Sequence, residues 1–427
     1  MEASLHMEHA VVAVESDHRV HVMVELRAPA APATERAPLD VALVVDRSGS
    51  MRGAKLEAAK ACAAYLARRM AAGDRLAVVT YDDHVDLLAP LAPVDVDRLL
   101  PALRSLRPGS MTNLSGGWLK GLEQLRAGSG DGVRRVLVLT DGLANVGITD
   151  PGALVGMAGQ ARQAGVGTTT IGVGDDFDEK LLTAMADAGG GTGHFAATPE
   201  AAPAIFAAEF EGLASVVAQN VSVEIRLGPE VAVLGVLNDY PAVAVPGGVQ
   251  LALGDAYGDE VRRLVFELHL PSVAALGLAR VGEVVIRHVA VGADVALHEV
   301  RVPLVVNVVT PEEAAGADPD HAVVEEVLIL TSARLRDEAR RLAEQGDTAA
   351  GMALLSDTAK SLRDRATGSS RAVELLAEAE SLDQSVGWLH DLDASGSLSA
   401  RSRKLMHYDS LKARRRRHPG DGPPKGA

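Results

Sequence analysis

The spacing of hydrophobic and polar positions changes several times along the chain, and each change marks a new class of element. Near the amino terminus, HAVVAVES and HRVHVMVEL alternate apolar and polar residues. That period of two predicts two strands joined by a polar turn around Asp17, in a sheet wet on one face. An Ala/Pro-rich linker, APAAPATERAP, follows. From Leu39 to Val217, short apolar runs alternate with amphipathic stretches. VALVVD, RLAVVTY, RRVLVLTD and TTTIGVG read as buried strands, and GTGHFAA as a shorter last one. VDLLAPL, one polar turn after RLAVVTY, reads as an antiparallel partner at the sheet edge. LEAAKACAAYLARRM, GGWLKGLEQLRA, PGALVGMAGQARQAG, DEKLLTAMADAGG and AAPAIFAAEFEGLASVVA have helical spacing. Apolar strands separated by helices predict an α/β domain: a doubly wound, mostly parallel sheet covered on both faces.

After Ala218 the helical period disappears. NVSVEIRL, VQLALGD, RRLVFELHL, VGEVVIRHVAV and ALHEVRVPLVVNVV are bounded by Gly, Pro and Asp turns, which predicts an antiparallel β-sandwich. A lone amino-terminal hairpin is marginal in water, so its strands are expected to join the later ones. The α/β domain then becomes an insertion in the sandwich. From Pro311 to Leu389 the period is helical again, predicting a hairpin or three-helix unit. The expected division is 1–30 for the first sandwich strands, 39–217 for the α/β domain and 218–310 for the rest of the sandwich. Residues 311–400 form the helical unit, and 401–427 a basic tail without structure.

Composition narrows the class. A length of 427 residues suits two or three domains, and 47% apolar with 23% charged residues is ordinary globular usage. Aromatics are only 3%, so the cores must rest on Val, Leu and Ala. The net charge of −15 argues against a surface built wholly for nucleic acid. Cys62 is the single cysteine, which rules out an internal disulfide and a cysteine zinc cluster. The opening MEASLHMEHA lacks the features of a secretory signal, and no long uncharged apolar run predicts a membrane span. A soluble protein of bacterial-type cytoplasm is expected.

The chemistry concentrates in VALVVDRSGSM. Asp46, Ser48 and Ser50 follow a buried strand and precede a helix, at the carboxyl edge where such sheets bind ligands. Thr112, in the Gly-rich loop RPGSMTNLSGG, and Asp141, at the end of RRVLVLTD, fall on the same edge from neighbouring units. Three hydroxyls and two carboxylates make an all-oxygen donor set. Hard oxygen ligands with few carboxylates suit Mg²⁺ better than Zn²⁺ or a Ca²⁺ cage, with Mn²⁺ and Ca²⁺ as alternatives.

These residues resemble the metal-ion-dependent adhesion site of von Willebrand factor type A domains, written D-x-S-x-S, then Thr, then Asp in T-D-G. The resemblance covers about Leu39–Val217, and LVLTDGLANVG and TIGVGDDFDEKLLTAMA look like later blocks of the same family. It implies that Ser48, Ser50 and Thr112 ligate the ion while Asp46 and Asp141 act through water or bind directly. Neutral hydroxyls then leave the cation under-neutralised, so an Asp or Glu of a partner protein is the natural remaining ligand. The resemblance also implies a shift of the closing helix near Ala201–Val217 when the ligand shell changes. It further implies a role without enzymatic chemistry, the alternative being an accessory subunit of a separate AAA+ ATPase in a chelatase-like complex.

Other readings of the motifs are weaker. No G-x-S-x-G elbow accompanies Ser48 or Ser50, and GSMTNLSGG lacks the Gly-Lys-Ser/Thr ending of a phosphate loop. His18 and His21 fall on opposite faces of a strand, which disfavours metal binding. Asp82 and Asp83 sit at a turn where Asp is common, Cys62 reads as a small core residue, and Trp118 packs at a helix start. Arg414–Arg417 could tether nucleic acid, but no interleaved aromatics support stacking.

Overall fold

In the computed structural model, residues 1–31, 36–126, 132–291, 296–395, 399–415 and 417–418 are described. The chain begins with β1 (Glu2–Met7), β2 (Val11–Ala13) and β3 (His18–Arg27). The α/β domain follows as β4 (Leu39–Asp46), α1 (Ala54–Arg69), β5 (Arg75–Tyr81), β6 (Val85–Ala92), α2 (Val96–Ser105), α3 (Leu114–Arg126), β7 (Val133–Thr140), α4 (Pro151–Gln163), β8 (Val166–Val173), α5 (Glu179–Ala188), β9 (Gly190–Ala196) and α6 (Ala202–Ala214). Its sheet runs β6-β5-β4-β7-β8-β9, parallel throughout except for the antiparallel edge strand β6.

Strand β4 explains the layering. Every one of its residues is buried. Leu39, Val41, Leu43 and Val45 face a core with α1, α2 and α6, whereas Ala42 and Val44 face α3, α4 and α5. A strand covered on both sides needs continuous apolar sequence, and VALVV supplies it. Helix α2 is the one helix of this domain outside the expected set, although its Val96, Leu99, Leu100 and Leu103 have helical spacing. Pro101 interrupts its helical reading, yet Asp95 caps its start by accepting from the Arg98 N–H.

The chain then forms β10 (Val216–Leu227), β11 (Ala232–Val236), β12 (Ala242–Val245), β13 (Gly248–Tyr257), β14 (Val261–Leu270), β15 (Gly277–Ala290) and β16 (Leu297–Val309). These make two sheets, β1-β3-β14-β11 and β12-β13-β10-β15-β16-β2. Strand β3 pairs with β14 along its whole length, from His18↔Leu270 to Arg27↔Val261. The α/β domain is therefore inserted into the sandwich, as the sequence implies. The expected amino-terminal hairpin is not formed. β3 takes β1 as its neighbour, and β2 crosses to the other sheet and pairs in parallel with β16. The reverse face of β3 is wet at its ends, where Arg19 and Arg27 are exposed, and covered in the middle. Val20, Val22 and Val24 line the sandwich core, while Met23 and Val265 on the reverse face pack under Val323 and Leu330 of a later helix. The segment SVVA at the end of the closing helix is also reassigned: α6 stops at Ala214, and Val216 already belongs to β10.

The helical unit holds α7 (Pro311–Ala315), α8 (His321–Glu344), α9 (Thr348–Ala366) and α10 (Ala372–Ser395), followed by α11 (Ala400–Arg415) and a short β17 (Arg417–His418) beside β14. Helix α11 corrects the expectation of a structureless tail over 401–427. Ala400–Arg415 is helical and buries Lys404, Met406, Ser410 and Leu411; residues 416 and 419–427 lie outside the described residues. The basic side chains find fixed acids elsewhere in the fold. Lys404 Nζ donates to Glu179 Oε2 at 2.6 Å and to the Phe177 carbonyl at 2.5 Å, over the Phe177 ring. Tyr408 stacks on Phe195, Arg415 pairs with Asp187, and Arg414 pairs with Asp239 and Asp337. Helix α11 thus fastens the α/β domain to both the sandwich and the helices. At the other junction Arg135, buried in β7, pairs with Asp255 of β13. Among the described residues, no helix is long and apolar enough to cross a membrane.

Because Lys404 is buried and makes two short charge-assisted bonds, Lys404→Ala should lower unfolding stability by about 2 kcal/mol in urea titrations. Arg401→Ala removes only an exposed pair with Asp175 and should cost less than about 0.5 kcal/mol.

Candidate metal centre

Sheet order reverses around β4 and β7, which sit side by side at the centre while their connections leave in opposite directions. The crevice at their carboxyl ends receives three loops. The first carries Asp46, Ser48 and Ser50 out of β4. The third begins with Asp141 after β7. The second, between α2 and α3, brings Thr112. All five predicted residues reach this edge.

The contacts are mostly direct. Asp46 is fully buried; one carboxylate oxygen accepts the Ser48 N–H at 2.7 Å and the other the Thr140 hydroxyl at 2.6 Å. Ser48 Oγ lies 3.1 Å from Ser50 Oγ, and Ser50 Oγ donates to Asp141 Oδ1 at 2.7 Å. Thr112 makes no direct contact with these oxygens but lies near them, across Gly142. A Cβ at position 142 would stand 3.4 Å from Thr112 Oγ1 and 3.6 Å from Ser50 Oγ, so both hydroxyls border the same small space.

The Thr112 loop is held from two sides. Thr112 N donates to Asn145 Oδ1 at 2.8 Å, and its carbonyl accepts from Asn145 and Val146 of the loop after Asp141. On the far side Asp82, almost fully buried, accepts the His84 N–H at 2.7 Å and pairs with Arg47, and its carbonyl takes the Asn113 N–H. Only glycine fits at position 109, where a Cβ would fall 1.7 Å from Asp82 Oδ2. Asp82 is thus a brace for the Thr112 loop as well as a turn residue. The carboxylates of Asp82 and Asp83 and the His84 ring also lie close together, with Asp83 and His84 exposed.

Whether these residues suit a divalent ion is answered by their spacing. Ligands at about 2.1 Å from an octahedral Mg²⁺ stand about 3 Å apart when adjacent. The oxygens of Ser48, Ser50 and Asp141 follow one another at 3.1 and 2.7 Å through hydrogen bonds, distances compatible with that spacing. The donor set is all oxygen, hard and low in carboxylates, which also fits.

Burial sets the charge of the site. Removal from water pushes the Asp46 carboxyl up to about 6, with Asp141 adding to the rise, against the opposing pull of the Thr140 and Ser48 hydrogen bonds. Asp141, equally buried, is paired with a residue that the motif does not contain: Lys55 of α1, whose Nζ lies 2.5 Å from Asp141 Oδ2. Thr140, Asn145 and Lys55 are the parts of the site that sequence reading missed, while Asp82 reads there as a turn residue. Thr140 had a local signal, as the residue before the motif Asp. The others act across loops and had none.

The remaining singled-out residues lie elsewhere. Cys62 is buried in α1 with its thiol pushed up to about 12 by desolvation. Trp118 is fully buried in α3, its indole N–H donating to Thr168. His21 bonds Glu8, and His18 bonds the Ala13 carbonyl. His194 pairs with buried Glu209 of α6. Burial alone would raise that carboxyl, but the His194 hydrogen bond, the positive charges of His194 and Arg135, and the Thr169 hydroxyl hold it at about 2.

Comparison with known proteins agrees with this architecture. Residues 40–208 match the family model of the von Willebrand factor type A domain. The chain is 27% identical over 338 residues to protein sll0103 of Synechocystis sp., covering 76% of this chain and 79% of that one. It is 27% identical over 397 residues to E3 ubiquitin-protein ligase WAV3 of Arabidopsis thaliana, covering 88% of this chain but 48% of that protein. Among solved structures, a von Willebrand factor type A protein from Catenulispora acidiphila superposes with a TM-score of 0.70 at 17% identity, over 97% of this chain and 96% of that one. The ArnB paralog VWA2 from Sulfolobus acidocaldarius gives 0.63 at 17% identity, over 97% and 98%. At such identities the likeness is one of fold, and it extends beyond the α/β domain to the sandwich and helices.

The raised Asp46 carboxyl predicts a pH effect. The metal-free native state holds this proton more tightly than the unfolded chain, so stability from this group falls as pH rises from about 4 to about 6. Asp46→Asn should therefore stabilise the metal-free protein by about 1–3 kcal/mol at pH 7.5 and by almost nothing at pH 4. Thermal melts in chelator at the two pH values check this, and the same variant should lose any melting shift caused by Mg²⁺ or Mn²⁺.

Proposed function

Since the chain carries a von Willebrand factor type A domain mounted on a sandwich and a helical unit, we propose that it binds a partner protein through a divalent cation held by Asp46, Ser48, Ser50, Thr112 and Asp141. The observation that supports this most is the run of oxygens from Ser48 through Ser50 to Asp141 at ligand-to-ligand spacing, beside Thr112. When bound, the ion supplies an electrophilic centre with a coordination position left for an outside group. Ser48, Ser50 and Thr112 offer neutral oxygens, and Asp46 spends both carboxylate oxygens on Ser48 and Thr140. With three of the five donors neutral, an Asp or Glu side chain of a partner is the fitting group for that remaining position. Mg²⁺ is the preferred ion on this donor set, ahead of Mn²⁺ and Ca²⁺.

A binding role rather than catalysis is part of the proposal. The hydrogen-bond partners of Ser48 and Ser50 are each other and carboxylates or backbone, whereas a hydrolytic serine needs a base such as imidazole against its Oγ. A cytoplasmic setting belongs to the same proposal, supported by the lone, buried thiol of Cys62. Nucleic-acid tethering through the basic tail loses ground, because Arg414 and Arg415 are already committed to Asp239, Asp337 and Asp187.

The layout also supports transmission of the binding event. Helix α6 is joined to β10 through Ser215 alone, and Glu209 anchors it to Thr169 of β8 and His194 of β9. A small shift of α6 would reach the sandwich directly.

Affinity capture from native lysate should recover a partner with Mg²⁺ present and lose it with chelator or with Asp46→Ala. A set of captured proteins indifferent to both would overturn the reading. Hydrogen exchange over 201–217 should change when metal and the captured partner bind together, and unchanged exchange there would remove the transmission step.

A further inference from the structure

Lys55 stands outside the five-residue donor set, yet it makes the shortest contact at the site. Its Nζ lies 2.5 Å from Asp141 Oδ2, while the other oxygen of the same carboxylate accepts the Ser50 hydroxyl. A second acid from a different loop, Asp176 after β8, reaches the ammonium at 3.4 Å. The lysine side chain is only 21% exposed, and Asp141 is fully buried. The fold makes room for its stem. Gly174, at the exit of β8, has φ +77, and a Cβ there would press to within 3.1 Å of Lys55 Cε and 3.4 Å of Nζ. Lys55 is thus seated between the loops that follow β7 and β8, with its charge directed at one of the two buried carboxylates of the candidate metal centre.

The consequence is a matter of charge. Asp46 and Asp141 together bring two negative charges, enough to neutralise a divalent cation. An ammonium fixed on Asp141 gives one of them back, so the cation with its protein ligands keeps about one positive charge beside two buried carboxylates. Resting on the metal-dependent reading above, we propose that Lys55 is a positioning residue and built-in counter-cation. It weakens the hold of the protein alone on the ion and makes tight retention depend on the carboxylate of a partner. Ion and acidic ligand then bind with positive coupling, each strengthening the other. A site without the lysine would keep its ion in the absence of any partner.

The test uses the full chain and the metal alone. Calorimetric titration with MnCl₂ and MgCl₂ should show Lys55→Met and Lys55→Gln binding about ten-fold or more tightly than wild type, with Lys55→Arg close to wild type. Melting in chelator gives an independent readout. Lys55→Met should melt below wild type, because Asp141 loses its partner, and should gain more from added Mn²⁺ than wild type gains. Equal or weaker ion binding by both neutral variants, in proteins whose chelator melts show a folded state, would overturn the proposal and leave Lys55 a structural bracket. Ion uptake by the neutral variants but not by wild type supports it. Absence of uptake by every protein would remove the metal-dependent reading and this inference together.

Discussion

Two carboxylates sealed from water at the ends of adjacent central strands are the constraint around which the α/β domain is organised. Asp46 and Asp141 sit where β4 and β7 end, and neither has access to solvent. Charge buried this deeply is costly unless donors or cations surround it. The domain answers with the Ser48 amide and Thr140 hydroxyl on Asp46, and with the Ser50 hydroxyl and Lys55 on Asp141. Those contacts join the loops after β4 and β7 at one crevice. The same buried negative charge is what the proposed divalent ion would meet.

The rest of the fold holds that crevice in place. Both faces of β4 are packed, so Asp46 cannot retreat from the sheet edge. Asp82 braces the Thr112 loop from one side and Asn145 ties it to the Asp141 loop from the other. At the opposite end of the sheet, Arg135–Asp255 and the short α6–β10 joint fix the domain to the sandwich. Helix α11 then runs across the assembly, its Lys404 and Arg415 on the α/β domain and its Arg414 on the sandwich and helical unit. The basic residues that look like a free tail serve as internal ties for an acidic body.

What local periodicity encodes was legible in the sequence. The fully apolar runs VALVV and VLVL gave the central strands because a strand covered on both faces admits few polar residues. The helical period gave α1, α3, α4, α5 and α8–α10, and the turn chemistry gave the antiparallel edge strand. Asp46, Ser48, Ser50 and Asp141 could be placed on one edge because a parallel sheet puts the carboxyl ends of its strands together, and Thr112 reaches that edge on the loop that precedes α3. Their identities and the order of their strands carried that information without any coordinates.

Partner choice between distant segments was decided only by the tertiary structure. The split of β2 and β3 between two sheets, the covering of Met23 by α8, the folding of α11 and the pairing of Lys55 with Asp141 depend on which surfaces meet. Period two says that a strand has two faces, not that a later helix will cover part of the second. A cluster of Lys and Arg has the same composition whether it is solvated or matched to Glu179, Asp187 and Asp337 far away in sequence. The sequence by itself therefore determined the elements and the donor set, through short-range periodicity and steric rules. Which charges neutralise which became defined only when the chain closed on itself, because ion pairing and burial act through space.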